Sequence, residues 1–302
     1  MKALITGVCG QDGWYLSELL LSIGYEVIGT RRGKEEQADT PEGVQVVYGD
    51  VNDGAVMLRL MDTHQPDEVY NLAAVSHVGD SFNAAASVMQ TNAVGAANVI
   101  EAACKVGAKF FQAGTSELFG PVASTMSEET PFQPQSPYGA SKLASHWMVR
   151  SYRQRGHHAT NGIMFNHESP RRGGGFVSQK IARGVAAIHK GQAKELMLGN
   201  LDAKRDWGHA RDYCHGMWVL MQSPAGDYVL ATGEAHSVRD FCQEAFSYVG
   251  LDYLDFVTVS PGLLRTLDAP AVCGDASKAN GLGWYPEVTF RALARELVEA
   301  AL

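Results

Sequence analysis

The sequence predicts an α/β fold in which helices cover both faces of a doubly wound, parallel sheet. Short apolar runs typical of buried strands alternate with helical patterns through the first 165 residues. A glycine-rich turn follows the first of these runs directly and opens a helix. After about Asn166 the alternation ends. We therefore expect a Rossmann-type nucleotide-binding domain at 1–165 and mainly a smaller, substrate-binding C-terminal lobe at 166–302, with some segments returning to the sheet.

The elements of the first part follow from their hydrophobic patterns. Leu16, Leu19 and Ile23 recur at helical spacing, and Gly24 ends their helix. The predicted strands are Lys2–Thr6, Glu26–Thr30, Val44–Tyr48, Glu68–Leu72, Lys109–Ala113 and Thr160–Phe165. The predicted helices are Gly13–Ile23, Ala55–Thr63, Met89–Val106 and Pro137–Arg155.

The C-terminal part has a different pattern. The segment 166–176 is rich in Pro, Arg and Gly and is expected to be a loop, and 191–212 is polar and expected to be loop-rich. Helices are predicted at Val177–Lys190, 216–222 and 237–249, and an apolar stripe in 284–302 indicates a last helix. The stripe consists of Phe290, Leu293, Leu297 and Leu302.

Composition excludes several classes of protein. Of 302 residues, 45% are apolar and 19% are charged, which is an ordinary globular balance. The net charge of −8 argues against a nucleic-acid-binding or membrane-surface role. The five cysteines form no CxxC pair and the histidines no HExxH motif, so no metal site is expected. No signal peptide and no run of 18 apolar residues is seen, so we expect a cytoplasmic protein.

The glycine-rich turn is a candidate site for a dinucleotide. Gly7, Gly10 and Gly13 follow a strand and open a helix, so the backbone can approach a pyrophosphate at the positive end of that helix. Gln11 and Asp12 belong to the same turn. An ordinary tight turn is the alternative, and the position directly after the first strand favours the cofactor site.

The end of the second strand favours NADP over NAD. A carboxylate there would hold a ribose 2′-hydroxyl, whereas an arginine accepts a 2′-phosphate. Arg31 and Arg32 occupy this place, and no carboxylate lies between them and Glu35. Two solvated surface arginines are the alternative.

Residues that follow the third and fourth strands complete the predicted cofactor site. Asp50, with its neighbour Val51, is placed to meet the adenine amine. Leu72, Ala73 and Ala74 would line the path of the cofactor, although small residues at such places more often serve packing.

Tyr138 and Lys142 are the candidate catalytic pair. Four residues apart on a helix, they share one face, and an ammonium near a phenol favours phenolate and lowers its pKa. Thr115 ends the fifth strand, where its hydroxyl can bond a sugar hydroxyl or simply pack locally. Glu117 can remove a proton from the carbon next to a ketone, or it can act only as a helix N-terminal carboxylate.

Two polar loops, at 166–172 and 199–207, are dense in groups that pair with anions. Together with Lys180, Arg205 and Arg265 they could clamp a diphosphate, with the arginines making bidentate contacts. A single arginine there is more often structural, so the prediction depends on the cluster.

Six segments carry a resemblance to a known family. They resemble signature segments of the extended short-chain dehydrogenase/reductases, and among them of the GDP-mannose 4,6-dehydratase family, and they read TGVCGQDGWYL, VYNLAAVSHV, TSELFG, SPYGASK, GIMFNHESPRRG and GNLDAKRDWGHARDY. The resemblance covers nearly the whole chain. The last two segments are the most specific, because generic extended short-chain dehydrogenase/reductases lack them.

The resemblance implies a reaction and a set of roles. The sugar nucleotide would be oxidised at C4, with Tyr138 as base and NADP as hydride acceptor. A proton would leave C5 to Glu117 as the C6 hydroxyl departs as water, and the same hydride would return to C6. Thr115 would act at the hexose, and Lys142 would orient the nicotinamide ribose. The implied substrate-binding residues are Ser76, Ser116, Asn166, Lys180, Arg205 and Arg265.

The chain also departs from the family pattern. The segment after Arg32 is short, so a homodimer is expected, with a tetramer as the alternative. The stretch 74–79 lacks an amide and a cation near the sugar, and Arg265 lies in an altered motif. GDP-manno-heptose is therefore an alternative to GDP-mannose. Two further hypotheses are a reductase or epimerase of the same fold and a catalytically silent nucleotide-binding protein.

Overall fold

A computed structural model describes residues 1–33, 39–122, 125–263 and 271–302. The strands of this part of the chain are β1 (Lys2–Thr6), β2 (Glu26–Arg31), β3 (Gln45–Tyr48), β4 (Glu68–Asn71), β5 (Lys109–Ala113), β6 (Ala159–Met164), β7 (Asn166–Glu168), β8 (Leu196–Leu198), β9 (Lys204–His209), β10 (Asp227–Leu230), β11 (Ala235–Ser237), β12 (Val257–Val259) and β13 (Ala271–Val272). The helices are α1 (Gln11–Ser22), α2 (Gly54–His64), α3 (Ala85–Met89), α4 (Gly95–Lys105), α5 (Pro137–Gln154), α6 (Val177–His189), α7 (Ala210–Met221), α8 (Val238–Tyr248), α9 (Ser277–Asn280) and α10 (Phe290–Ala301).

The central sheet is parallel, and its strand order is β10-β6-β5-β4-β1-β2-β3. The order reverses between β1 and β4, and a doubly wound sheet binds its ligand at such a reversal, beyond the carboxyl ends of the strands. The predicted fold class is confirmed. The six predicted strands are present, with ends that differ from the predicted ones by no more than one residue.

Apolar helix faces cover the sheet on both sides. On one face Leu16 of α1 and Met217 of α7 are fully buried in one core, and on the other Met57 of α2 and Ile100 of α4 belong to a second. Burial of each such side chain stabilises the folded state by about 1.5–3 kcal/mol relative to its exposure to water. The sheet is thereby a rigid platform for the groups at its carboxyl edge.

A third core lies in the C-terminal part, between α6, α8 and α10. Phe241 and Leu293 are fully buried there, and Trp207 of β9 packs edge-on against Phe241. The chain then returns to the main sheet, since α7 packs on α1 and β10 pairs with β6.

The prediction that 191–212 is loop-rich is wrong, because this segment contains β8, β9 and the start of α7. The predicted loop at 166–176 likewise contains a strand, β7. β9 is a central strand of a small sheet, between β11 on one side and β13 on the other, and β7 also pairs with it. The sequence of β9 is polar and so does not resemble that of a buried strand. The strand is nevertheless accommodated, because the buried Asp206 accepts hydrogen bonds from the backbone N–H of Thr232, Gly233 and Gly274. Partners distant in sequence satisfy its polar groups.

The predicted helix at Met89–Val106 starts earlier and contains a π-helical turn at Gln90–Val94, between α3 and α4. The turn directs the buried Asn92 inward. Its amide accepts from the N–H of Val75 at 2.8 Å and donates to the carbonyl of Val75 at 3.0 Å and to the hydroxyl of Ser141 at 3.1 Å. One side chain thus ties the segment after β4 to α5.

Candidate active site

The glycine turn joins β1 to α1 in close contact with its own backbone. A β-carbon at Gly13 would lie 2.4 Å from the carbonyl oxygen of Val8, so only glycine allows α1 to pack this tightly. Gly10 caps α1 in an extended conformation and contributes no side chain to its first N–H groups. A helix N-terminus of this kind binds anions well.

A cleft of about 230 Å³ opens beside this turn at the carboxyl edge of the sheet. It is lined by Gly7, Cys9, Gly10, Thr30, Arg31, Arg32, Gly49, Val51, Ala73, Ala74, Val75 and Thr91. Most are predicted cofactor-binding residues or their neighbours in the chain. Thr91, which lies in the π-helical turn, was missed.

Other predicted cofactor residues do not line this cleft. Asp50 accepts a hydrogen bond from the N–H of Asn52 at 2.9 Å, and Leu72 packs against the core under α1. Gly13 is buried in the first turn of α1. Gln11 and Asp12 instead form side-chain contacts with the segment around β7.

Asp12 and His167 form an ion pair between α1 and β7. The carboxylate Oδ2 of Asp12 lies 2.9 Å from Nε2 of His167. Burial alone would raise the pKa of Asp12, but the charge of His167 and the hydrogen bond to it lower this pKa to about 2. Burial alone would lower the pKa of His167, but the charge of Asp12 prevails and raises it. His167 was not among the predicted site residues, although it lies in the segment that was recognised as polar.

The candidate catalytic groups come from the end of β5 and the start of α5. Ser136 caps α5, accepting from the N–H of Gly139 at 3.0 Å, and Pro137 occupies the first turn. Thr115 caps the short 3₁₀ helix Ser116–Leu118, and its hydroxyl accepts a hydrogen bond from the N–H of Glu117 at 3.3 Å. These two caps fix the start of each element.

Tyr138 meets Thr115 and Glu117 at this place. Its buried phenol forms a hydrogen bond with the side chain of Thr115, and the charge of Glu117 acts on it. Burial raises the pKa of Tyr138 to about 12, the Thr115 hydrogen bond lowers this pKa and the Glu117 charge raises it. The predicted lowering of the Tyr138 pKa by Lys142 is therefore wrong, because burial outweighs the favourable contacts.

Lys142 is buried one turn further along α5. Its Nζ donates to the carbonyl oxygen of Ala113, the last residue of β5, at 2.9 Å. Burial lowers the pKa of Lys142 to about 8, and the charge of Asp12 acts in the opposite direction. The ammonium is thus anchored to the sheet.

The predicted substrate residues lie on neighbouring elements. Asn166 pairs with Trp207 across β7 and β9, which places it beside the strand that carries Arg205. Ser76 is exposed next to His77, whose ring packs against Phe176 at the start of α6, the helix that carries Lys180. Ser116 is buried in the 3₁₀ turn. Arg265 lies outside the described residues.

A further cation borders these groups. Arg172 lies over the ring of Phe176 at 3.6 Å, forms an ion pair with the buried Glu168 at 3.3 Å, and lowers the pKa of both Asp12 and Tyr138. Arg172 belongs to the arginine-rich segment after β7. The sequence therefore shows that a positive charge is present there, but it does not show which way the Arg172 side chain points.

Among the described residues no group of three or more His, Cys, Asp or Glu side chains could hold a metal ion. Within the same ranges no helix has both the length and the apolar character that crossing a membrane requires.

The chain is similar to known proteins along nearly its whole length. A family model described as GDP-mannose 4,6 dehydratase matches residues 4–297. The protein named GDP-mannose 4,6 dehydratase 1 of Arabidopsis thaliana is 44% identical over 323 residues, covering 99% of this chain and 89% of that protein. The GDP-mannose 4,6-dehydratase of Sinorhizobium fredii is 43% identical over 337 residues, covering 99% and 96%.

A solved structure shares the fold. The UDP-glucose 4-epimerase of Thermus thermophilus in complex with NAD has a TM-score of 0.90 to this chain at 26% identity, and the match covers 100% of this chain and 99% of that chain.

Proposed function

This chain belongs to the GDP-mannose 4,6-dehydratase family of hydro-lyases, and we propose which step of the dehydration of GDP-mannose to the 4-keto-6-deoxy sugar each of its site residues performs. The observation that carries this proposal is the meeting of Thr115, Glu117 and Tyr138 at the carboxyl edge of the sheet. A phenol and a carboxylate within each other's electrostatic reach can serve two positions of one hexose ring.

The residues around the glycine turn fit a nicotinamide dinucleotide. The small residues Gly7 and Gly10 line the cleft, and the N-terminus of α1 offers N–H groups without a side-chain cap. When bound, the nicotinamide supplies hydride acceptance and return, a chemistry that no side chain provides. The protein's own groups hold the sugar and move its protons.

In this proposal Tyr138 accepts the proton of the C4 hydroxyl in its phenolate form. Thr115, hydrogen-bonded to the phenol, would hold it in position and lower its pKa, while Lys142 is held to β5 through Ala113. A base at C4 allows the ketone to form, and the ketone acidifies the hydrogen on C5.

Glu117 takes the C5 proton in this proposal. The carboxylate then returns a proton to the C6 hydroxyl, which leaves as water, so that the C5–H and C6–O bonds break and a C5–C6 double bond forms. Return of the hydride to C6 and of a proton to C5 completes the 6-deoxy sugar. The sum is loss of one water, with no net oxidant or reductant consumed.

NADP is the cofactor that we propose. Arg31 and Arg32 line the cleft at the end of β2, next to Gly49, whose N–H donates to the carbonyl of Arg31 at 2.9 Å. Two cations at this position suit a 2′-phosphate, whereas NAD binders favour a carboxylate there.

We also propose a homodimer that is built on two helical segments. Met89 and Val94, at the π-helical turn, and Trp147 and Met148, on α5, are exposed, with fractions of 46% for Val94 and 51% for Trp147. α3 and the π-helical turn pack against α5. Neighbouring exposed apolar side chains of this size favour burial against a second copy. The expected cytoplasmic location stays a prediction.

The names of the relatives support GDP-mannose over GDP-manno-heptose, and dehydration over a reductase or epimerase reaction. The decisive test is incubation with GDP-mannose and NADP in D₂O. We expect a product that is one water lighter, with deuterium at C5 and no accumulation of NADPH. GDP-manno-heptose, assayed in parallel, measures the preference for the sugar.

The role of Glu117 is tested by Glu117→Gln, which should lower kcat at least about 10³-fold because the amide cannot take a proton. Glu18→Gln on the exposed side of α1 is the matched control and should retain activity. Full dehydratase activity in the Glu117→Gln variant would falsify the assignment.

A further inference from the structure

His167 is held between two hydrogen-bond acceptors. Its Nδ1 lies 2.7 Å from the carbonyl oxygen of Phe165, and its Nε2 lies 2.9 Å from the carboxylate of Asp12. A backbone carbonyl cannot donate, and an ionised carboxylate cannot either. Both ring nitrogens must therefore donate, and an imidazole that donates from both nitrogens is an imidazolium.

The imidazolium lies where two parts of the chain meet. Asp12 is in the first turn of α1, directly after the glycine turn, whereas His167 is the middle residue of β7 and pairs with Gly208 of β9. The side chain of His167 is only 10% exposed and its ring stacks on Tyr213 of α7 at a centroid distance of 4.7 Å. A buried charge in a fixed orientation requires its counterion.

A neutral link runs beside the charged one. Nε2 of Gln11 donates to the carbonyl oxygen of His167 at 3.1 Å, and the hydroxyl of Ser169 donates to Oε1 of Gln11 at 2.8 Å. The two links join the same two elements through different chemistry. Only the charged link depends on the protonation of His167.

We propose that Asp12 and His167 are positioning residues that hold the glycine turn against β7, and that cofactor binding requires His167 as an imidazolium. This rests on the proposed function in one respect, namely that a nicotinamide dinucleotide binds at the turn. The pair also places the Asp12 carboxylate within electrostatic reach of the catalytic tyrosine and lysine.

The pH dependence has a definite sign. The contact with Asp12 raises the pKa of His167, so the contact is fully present below the ordinary histidine pKa and is lost as pH rises through the raised value. The pKa of Asp12 is about 2, so the carboxylate stays ionised over the whole neutral range. The other titratable groups that act on the pair or pack against it are Arg172 before α6, Tyr138 and Lys142 on α5, and Tyr213 and Cys214 on α7.

The first test reads the protonation state directly. Histidine labelled with ¹⁵N is incorporated into the cofactor-free protein, and His167→Gln identifies the signal that belongs to His167. We expect both ring nitrogens to be protonated at pH 7.5. A neutral ring at that pH would overturn the proposal, whatever the dehydratase activity of the protein, so this result is separate from the proposed function.

The second test follows the Kd for NADP from pH 6 to pH 10. In the wild type, Kd should rise as His167 loses its proton. In Asp12→Asn, Kd at pH 7.5 should be about tenfold higher than in the wild type. The rise of Kd with pH should begin at least about one pH unit lower, since no carboxylate stabilises the imidazolium of His167. Ser169→Ala, which weakens the neutral link and leaves the charged link intact, should raise Kd by the same factor at every pH. Identical midpoints for Asp12→Asn and the wild type would contradict the proposal.

Discussion

Gly139 lies directly behind the backbone of Glu117, and a β-carbon added to it would approach the Glu117 carbonyl oxygen to 2.8 Å. α5 and the 3₁₀ turn therefore pack backbone against backbone, and the positions of the phenol and the carboxylate are set by the same contact. The distance between the two candidate catalytic groups depends on a residue without a side chain.

Gly139→Ala should lower kcat about 10-fold to 100-fold, because a displacement of the 3₁₀ turn by a fraction of an ångström misplaces Glu117. The Kd for NADP should change little, since the glycine turn is untouched. Gly281→Ala at the end of α9 is the control, as an added β-carbon would lie 3.4 Å from the carbonyl oxygen of Lys278, an ordinary van der Waals contact. Steady-state kinetics with GDP-mannose measures both variants, and equal kcat values would contradict the prediction.

Thr115→Ala should shift the pH profile as well as the rate. The hydrogen bond from Thr115 lowers the pKa of Tyr138, so its loss raises that pKa further. The acidic limb of kcat/KM should move to higher pH, and kcat at pH 7.5 should fall about 10²-fold. Thr115→Ser keeps the hydroxyl and should keep the profile. A rate loss without any movement of the limb would show that Thr115 acts only by binding the sugar.

Lys142→Met should stabilise the cofactor-free protein at pH 7 by about 1–3 kcal/mol while it abolishes activity. Burial lowers the pKa of Lys142 from 10.5 to about 8, so the buried ammonium costs stability below pH 8. Between pH 8 and pH 10.5 the unfolded chain binds more protons, and wild-type stability should rise with pH relative to the variant. Urea unfolding at pH 7 and pH 10 measures the difference. A destabilised variant would mean that the bond to Ala113 outweighs the burial cost.

The double variant Arg31→Ala, Arg32→Ala should raise the Kd for NADP at least about 10-fold, because a charge-assisted hydrogen bond contributes about 1.5–3 kcal/mol. The Kd for NAD should stay within about twofold, since it has no 2′-phosphate. Arg155→Ala at the end of α5 controls for loss of a positive charge. Binding titrations with both cofactors decide, and parallel losses for NAD and NADP would argue for a structural role.

Trp147→Glu should convert the dimer to a monomer, since burying a carboxylate in an apolar interface costs the free energy of its desolvation. Sedimentation at micromolar concentration measures the mass. Tyr285→Glu replaces another exposed aromatic residue, at 60% exposure, before α10 and should leave the dimer intact. A wild-type protein that is already monomeric at this concentration would remove the basis for the interface.

Local signals were enough to predict the first half of the fold. The β1–turn–α1 unit, the Tyr138 helix and the alternation of strands and helices all depend on neighbours in sequence, and the structure contains them. β9 was missed because its buried Asp206 accepts hydrogen bonds from Thr232 and Gly274, which are far away in the chain. No periodicity reveals a strand of that kind.

The site residues show the same distinction between local sequence signals and contacts with distant segments. Residues that follow a strand directly, such as Gly7 and Arg31, were identified from position alone. His167 and Asn92 were missed, since their roles come from contacts with segments 155 and 17 residues away. The direction of the Tyr138 pKa was mispredicted for a related reason, because burial is a property of the whole fold and cannot be seen in a four-residue spacing.

Because β10 completes the main sheet beside β6 and α7 covers α1, the nucleotide-binding half cannot be cut out at residue 165. Such a fragment would leave one edge of β6 without a partner and would expose the side of α1 on which α7 packs. Strands with open edges associate with one another. A self-sufficient minimal unit must retain 210–230 together with the linking polypeptide, so gene splitting or circular permutation of this enzyme should place new ends elsewhere.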